Sequence, residues 1–412
     1  KSFTVVLDSN ERYVAVASGV VNPASFSVNP DGEDINFTLN LRSGMRNASV
    51  NGTDVDFIVL HGSTDAPAVD VVPMGSPNVL VDNAAYFDFS NYITVAPTGY
   101  KLNITPANDN SVIVASYDVD LTGLSGGAAT VFASGFLDPT ANQNGPAFGL
   151  FAALPNGTVV QFAENSTSRL QVIHNSADPA AAVVDIYVDT TLFLNDFAFR
   201  TASPFVDVPS GVTLNIGIAP ASSTSSAQAI ATIPVTLASG QTYVAIANGV
   251  LDATQFAANP SGLITDFSLF IQSGITESSS NSGDVRFLAF HGATDAPEVD
   301  VVTGGSPVVD NLLYGNYSGA LEVPAASYVL NVTPSNDNST IVASYLADLS
   351  SLGGGAAVVF ASGFLDPTSN QNGEAFGLFA ALTNGTVVAF PANNTARLQV
   401  IHNAAAPGAT TV

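Results

Sequence analysis

The constraint that governs this chain is a long-range repeat. The segment YVAVASG at Tyr13–Gly19 returns as YVAIANG at Tyr243–Gly249, and HGSTDAPAVD at His61–Asp70 returns as HGATDAPEVD at His291–Asp300, each 230 positions later. DPTANQNG at Asp138 returns as DPTSNQNG at Asp366, and RLQVIHN at Arg169 returns unchanged at Arg397, with an offset of 228. One deletion accounts for the difference, because GSPNVLVDN at Gly75 becomes GSPVVDN at Gly305. A weaker copy lies halfway: His61, His174, His291 and His402 each close a short apolar run. The unit is therefore a domain of about 115 residues, and two kinds alternate as A, B, A, B.

The boundaries follow from the repeat. Residues 1–54 match the C-terminal half of a B-type domain, 55–167 form an A-type domain, 168–283 a complete B-type domain, and 284–395 a second A-type domain. Residues 396–412 match the first strand of a B-type domain. Half a sandwich leaves its apolar face without a partner, so something else must complete residues 1–54. Lys1 follows no initiator Met or signal peptide, which reads as a processed form or a fragment.

Within each unit the pattern is strand after strand: short runs rich in Val, Ile, Phe and Tyr, broken by Gly, Pro, Asn and Asp, with no sustained helical period. Asn156-Gly157 and Asn384-Gly385 each separate two apolar runs and predict type I′ hairpins. The expected fold is all-β, a series of tandem immunoglobulin-like antiparallel β-sandwiches in an alternating A/B array.

Composition narrows the setting. Nine basic residues stand against 34 acidic ones, for a net charge of −25. No basic patch exists to displace phosphate counterions or to bind anionic lipid, so nucleic acid is excluded as a partner. No apolar run approaches the roughly 20 residues that span a bilayer, so direct membrane insertion is not expected. There is no cysteine, hence no disulfide and no thiol chemistry.

At this point residues carry a resemblance. RLQVIHNSADPAAAVVDIYVD at Arg169, PFVDVPSG at Pro204 and YVAIANGVLD at Tyr243 resemble a family of bacterial and archaeal cell-surface repeats known only as a domain of unknown function. Unit B matches from end to end. Unit A is more divergent, with Asp56 where B has Arg169 and with the added DPTANQNG loop. The resemblance implies secreted tandem β-domains at the cell surface and carries no catalytic residues.

His61 with Asp65 and Asp70, His174 with Asp178 and Asp185, and His291 with Asp295 and Asp300 form the nearest thing to an acid–base or metal group. Period-two alternation sets each His on the same strand face as Phe57 and Val59, Leu170 and Val172, or Leu398 and Val400, the face expected to be buried. The expectation is a strand-end histidine bonded to a turn, no catalytic residue and no enzyme. Asp109, Asp138, Asp337 and Asp366 offer hard oxygen ligands, so structural calcium is the one cofactor these loops could hold; otherwise none is expected. Tyr86, Phe87, Phe89 and Tyr92 form the one dense aromatic cluster that could recognise a ligand.

Sequons stand at Asn36, Asn47, Asn51, Asn103, Asn156, Asn165, Asn316, Asn331, Asn338, Asn384 and Asn393, candidates for a glycan coat. The functional expectation is a structural subunit of an extracellular filament or cell-surface fibre. Its partner is a second copy, joined head to tail through Arg397, Leu398, Val400 and His402 as a donated strand. The alternative is an adhesin or polysaccharide-binding stalk.

Overall fold

The computed structural model describes residues 1–394 and residue 401. The candidate joint residues Arg397, Leu398, Val400 and His402 lie outside the described residues. The protein is all-β, and among the described residues the helical segments are three-residue 3-10 turns such as Pro23–Ser25 and Pro179–Ala181.

Three two-sheet sandwiches follow one another. In the first A unit, strand Val55–His61 lies between Ile93–Val95 and Ala128–Ser134 in one sheet; the facing sheet is centred on Val69–Pro73 and Gly99–Pro106. The B unit repeats the plan around Thr167–His174 and Thr242–Asn248, and the second A unit around Asp284–His291 and Ala356–Ser362. Most pairings are antiparallel, but the two central strands of each of these sheets run parallel: Arg169 pairs with Thr242, Phe57 with Ala129 and Phe287 with Ala357. A parallel pair needs a long crossover, and here the intervening strands of the facing sheet provide it.

The two Asn-Gly turns differ from expectation. Gly157 and Gly385 both take φ +87°, yet Asn156 and Asn384 stay at negative φ. Gly157 N–H donates to Leu154 O at 2.9 Å, which makes a type I turn ending in a left-handed glycine, the three-residue loop with a bulge. Pro155 explains this in the first copy, because its ring fixes φ near the value that the first central residue of a type I turn requires.

Residues 1–54 form a two-stranded sheet, Tyr13–Ser18 with Thr38–Ser43, in the register that Thr242–Asn248 and Ser268–Ser273 show in the B unit. The completion the sequence calls for comes on one side from the first A unit, described below. On the other side Ala15 and Ala17 remain exposed, whereas their counterparts Ala245 and Ala247 are buried.

The two A units pack differently. Val59, Leu80, Ile104 and Val119 of the first become Ala289, Val308, Val332 and Ala347 in the second. Each change removes methyl groups from the core, and the space between the sheets grows from about 30 Å³ to about 90 Å³. Restoring the bulk should stabilise the second unit, since each buried methylene contributes about 0.8 kcal/mol. The expected outcome is that Ala289→Val and Ala347→Val each raise its thermal midpoint, by about 1 kcal/mol in stability. Calorimetry of the chain carrying both changes checks this, with Val59→Ala in the first unit moving the other way.

Candidate functional site

The histidines fold into structural positions. His61, His174 and His291 are each at most 1% exposed. Their Nε2 atoms bond the carbonyls of Pro67 (2.9 Å), Ala181 (2.7 Å) and Pro297 (2.9 Å) across the following turn. The carboxylates that looked like their partners are used elsewhere. Asp65 accepts from the backbone of Leu137 and Asp138 and from Asn142, and Asp295 repeats this with Leu365, Asp366 and Asn370. Asp178 accepts from Leu251 N, and Asp70, Asp185 and Asp300 accept from Asn83, Asp196 and Asn311 N. These acids hold loops and do not orient an imidazole.

The loop acids behave similarly. Asp109 accepts from Ser111, and Asp337 from Ser339 and Thr340, which hold Asp337 down at about 2. Among the described residues no group of three or more His, Cys, Asp or Glu side chains is arranged to hold a metal ion.

What the sequence residues do build is a face between units. The outer face of the B sheet, with Ile173, Phe205, Val244 and Ile246, packs on the outer face of the second A sheet, with Leu288, Phe290, Val358 and Phe360, as one continuous apolar cluster. Polar clasps flank it. Asn259 Nδ2 donates to Thr294 O (2.9 Å) and Ala296 O (3.1 Å), and Ala257 N donates to Asn370 Oδ1 (2.9 Å). Phe256 stacks on Phe364 with ring centres 5.6 Å apart. Residues 1–54 make the same clasp with the first A unit: Asn29 bonds Thr64 O and Ala66 O, Ser27 N bonds Asn142 Oδ1, and Phe26 stacks on Phe136 at 5.6 Å. Asn142 and Asn370 come from the DPTANQNG and DPTSNQNG loops, and Asp65 and Asp295 hold them in place. The A-specific loop, whose role the sequence did not disclose, is thus the device that receives a B unit.

The aromatic cluster belongs to this face as well. Tyr86 is 4% exposed and lies 3.4 Å from Ser18 Oγ; Phe87 O accepts from Asn40; Tyr92 OH accepts from Arg46 N at 2.7 Å, with the Arg46 guanidinium 4.0 Å from its ring centre. Phe89 is half-buried. Among the sequons, Asn36, Asn47, Asn51, Asn156, Asn316, Asn338 and Asn384 are exposed, and Asn331 and Asn393 are half-buried. Asn103 and Asn165 are 6% and 4% exposed at the junction of the first A unit with B, and are closed to a glycan in this arrangement.

Comparison with known proteins comes down to one family. The domain of unknown function DUF4397 matches at residues 39–146 and again at 168–264. The chain belongs to the DUF4397 family. Its first DUF4397 match begins in the strand Thr38–Ser43 of the half-domain and runs into the first A unit; its second covers most of B. No curated protein matches the chain. Among solved structures, one described as alpha-glucan binding by a streptococcal virulence factor is 10% identical, covering 47% of this chain and 92% of that one at a TM-score of 0.16. The Bacillus anthracis TIE protein is 9% identical, covering 80% of this chain, which spans about half (54%) of that one, at a TM-score of 0.15. At those scores neither bears on function. Among the described residues no helix is long and apolar enough to cross a membrane.

Two measurements probe this geometry. Phe360 is fully buried at the inter-unit face, whereas its counterpart Phe132 is half-exposed, because among the described residues nothing equivalent to Ile173 and Phe205 covers it. Phe360→Ala should cost about 3–5 kcal/mol and Phe132→Ala clearly less, read from chemical denaturation. The second is pH dependence. Burial pushes His174 down to about 4 and lowers His61 and His291 too. Between pH 6.5 and 4 the unfolded chain binds a proton that the folded one refuses, so the stabilisation is complete above 6.5 and is lost as pH falls toward 4. For His174 the gap corresponds to about 3 kcal/mol. The urea midpoint should fall on acidification across that window, and His174→Gln should flatten its share of the slope.

Proposed function

We propose that the chain is a structural subunit or repeat segment of an extracellular filament or cell-surface fibre, joined head to tail by strand complementation. The observation that carries this reading is the B-to-A face, built twice from the same residue types in one chain. A clasp that recurs with the same hydrogen bonds and the same ring stacking serves continuity of an array, since stacked repeats depend on their neighbours for a continuous core.

The open edge of Tyr13–Ser18 supports the joint. Its counterpart Thr242–Asn248 is paired in parallel with Thr167–His174 and fully buried. The segment RLQVIHN at Arg397 is identical to the one at Arg169. Transferred to a second copy, the observed register sets Leu398 beside Tyr13 and Val400 beside Ala15, and burial of each aliphatic side chain contributes roughly 1.5–3 kcal/mol. Donor and acceptor lie at different places on one chain, so the contact is heterologous and propagates. One part of the template is missing: Arg169 is held by Glu277 through two bonds of 2.6 and 2.7 Å, and the position aligned with Glu277 is Asn47. The copy-to-copy joint is accordingly weaker than the internal one, and Asn47→Glu should strengthen it.

The test is assembly of the chain with residues 396–412 removed, followed by electron microscopy and sedimentation. Loss of polymer is expected, as is capping of the full chain by excess peptide of that sequence. Fibres of unchanged length from the shortened chain would overturn the joint.

A further inference from the structure

The strand that opens the B unit leaves a footprint on the second A unit. Ile173 is 0% exposed within the cluster that also buries Phe360 and Ala381 to 0%, with Val387 packed at its edge. Gln171 Nε2 donates to Ser203 O at 2.9 Å and to Leu382 O at 2.8 Å, which ties this strand to the end of the A-unit strand Gly377–Leu382. Backbones meet as closely: a Cβ built on Gly385 would lie 2.7 Å from Pro204 N and 2.8 Å from Ser203 C.

On the first A unit the same strip is bare among the described residues. Residues 1–54 reproduce the clasp and the strands that answer to Thr242–Asn248 and Ser268–Ser273, but align with nothing before residue 231 and so hold no counterpart of Gln171 or Ile173. Phe132 and Ala153, the counterparts of Phe360 and Ala381, are half-exposed, and Val159, the counterpart of Val387, is 56% exposed. A Cβ built on Gly157, the counterpart of Gly385, meets no atom within 4 Å. The missing cover recurs in sequence at the other end of the chain. Gln399 and Ile401 stand in RLQVIHN where Gln171 and Ile173 stand in the first copy, and Ile401 is 75% exposed.

We propose that the strip of Phe132, Ala153 and Val159 is a docking face for Gln399 and Ile401 of a second copy of this chain. The proposal rests on the head-to-tail reading and deepens it, because it names what holds the other face of the donated strand. Successive side chains of a strand point to opposite faces, so Leu398 and Val400 enter the half-domain while Gln399 and Ile401 turn to the A unit. The parallel register sets Ile401 beside Val16 and over Phe132, whose ring stacks on Phe151 at 5.5 Å. Gln399 Nε2 donates to Leu154 O, the counterpart of Leu382 O. Each of these carbonyls already accepts from a glycine N–H at 2.9 Å, from Gly157 and Gly385, and keeps a lone pair for a second donor. The strip also gives growth a direction. In the second A unit B itself occupies the footprint, so among the described residues each copy presents one receiving face.

Assembly of the full chain, followed by sedimentation, tests the contact. Phe132→Ala and Ile401→Ala should each raise the concentration needed for assembly by about tenfold. The chain carrying both should need no more than the worse single variant, because the two changes remove one shared contact. Val159→Asp, at a position already in water, should impair assembly while leaving the urea midpoint of the unassembled chain unchanged, which separates docking from folding. Variants that assemble at the native concentration, or effects of Phe132→Ala and Ile401→Ala that multiply, would overturn this contact and leave strand complementation standing. A native chain that forms no polymer at any concentration would overturn both.

Discussion

Everything in this structure depends on burying one sheet of each unit on both faces. In strand Thr242–Asn248 all seven residues are buried, and in Val55–His61 likewise. One face packs within the sandwich and the other against the neighbouring unit. That is why these strands read as unbroken apolar runs, a pattern ordinarily seen where a sheet is covered on both sides. Period-two reasoning assigned His61 to the buried face with Phe57 and Val59, and the assignment holds for those residues. Ile58 and Leu60, on the opposite face of the strand, are buried as well, at 0% and 1% exposure.

The legible part of the fold was what local chemistry encodes. Strand content, the repeat and the histidine at each strand end came from residue pattern alone, because each depends on neighbours in sequence. The parallel central pair was not legible, since nothing in RLQVIHN or YVAIANG specifies direction; it follows from how the intervening strands return the chain. The candidate site was read by type but not by partner. Asp65 stands four residues from His61, yet it accepts from Ser63 close by and from Leu137, Asp138 and Asn142, more than 70 residues on, and not from the imidazole. The repeat of DPTANQNG was itself a signal: a loop kept in both A units and absent from B has a partner common to both, and that partner is the B-type segment ahead of each A unit.

Charge follows the same logic. The few basic residues look scattered in sequence but gather where units meet. Arg200 reaches from B to Ser362, Ala375 and Glu374 and lies 4.3 Å from the ring centre of Phe379. Lys101 of the first A unit pairs with Asp118 and approaches Asp207 of B at 3.7 Å. At the entry to each A unit the polarity is inverted with compensation. Arg46 bonds Asp56 at 2.8 Å in the first, with Thr94 accepted alongside; in the second, Arg286 stands at the Asp56 position and faces Glu322, at the Thr94 position, which Ser279 and Ser280 hold down at about 2. The charge at this strand start is reversed and its ionic partner moves from the Arg46 position, where the second copy has Thr276, to the Thr94 position, so each copy keeps a compensated pair at its entry.

The clasp also explains why the array alternates. The B side supplies Phe256 and Asn259, and the A side supplies Phe364 and Asn370 with the carbonyls of Thr294 and Ala296. Donor and acceptor surfaces differ, so an A unit cannot clasp another A unit, nor a B unit another B. A heterologous face of this kind propagates when its two halves sit on different units. Two ancestral copies of one sandwich can meet that condition only by diverging, one acquiring the loop and the other the residues that enter it. The repeating object is then the B–A pair, and the period of about 230 residues, rather than 115, is the one in which sequence is preserved.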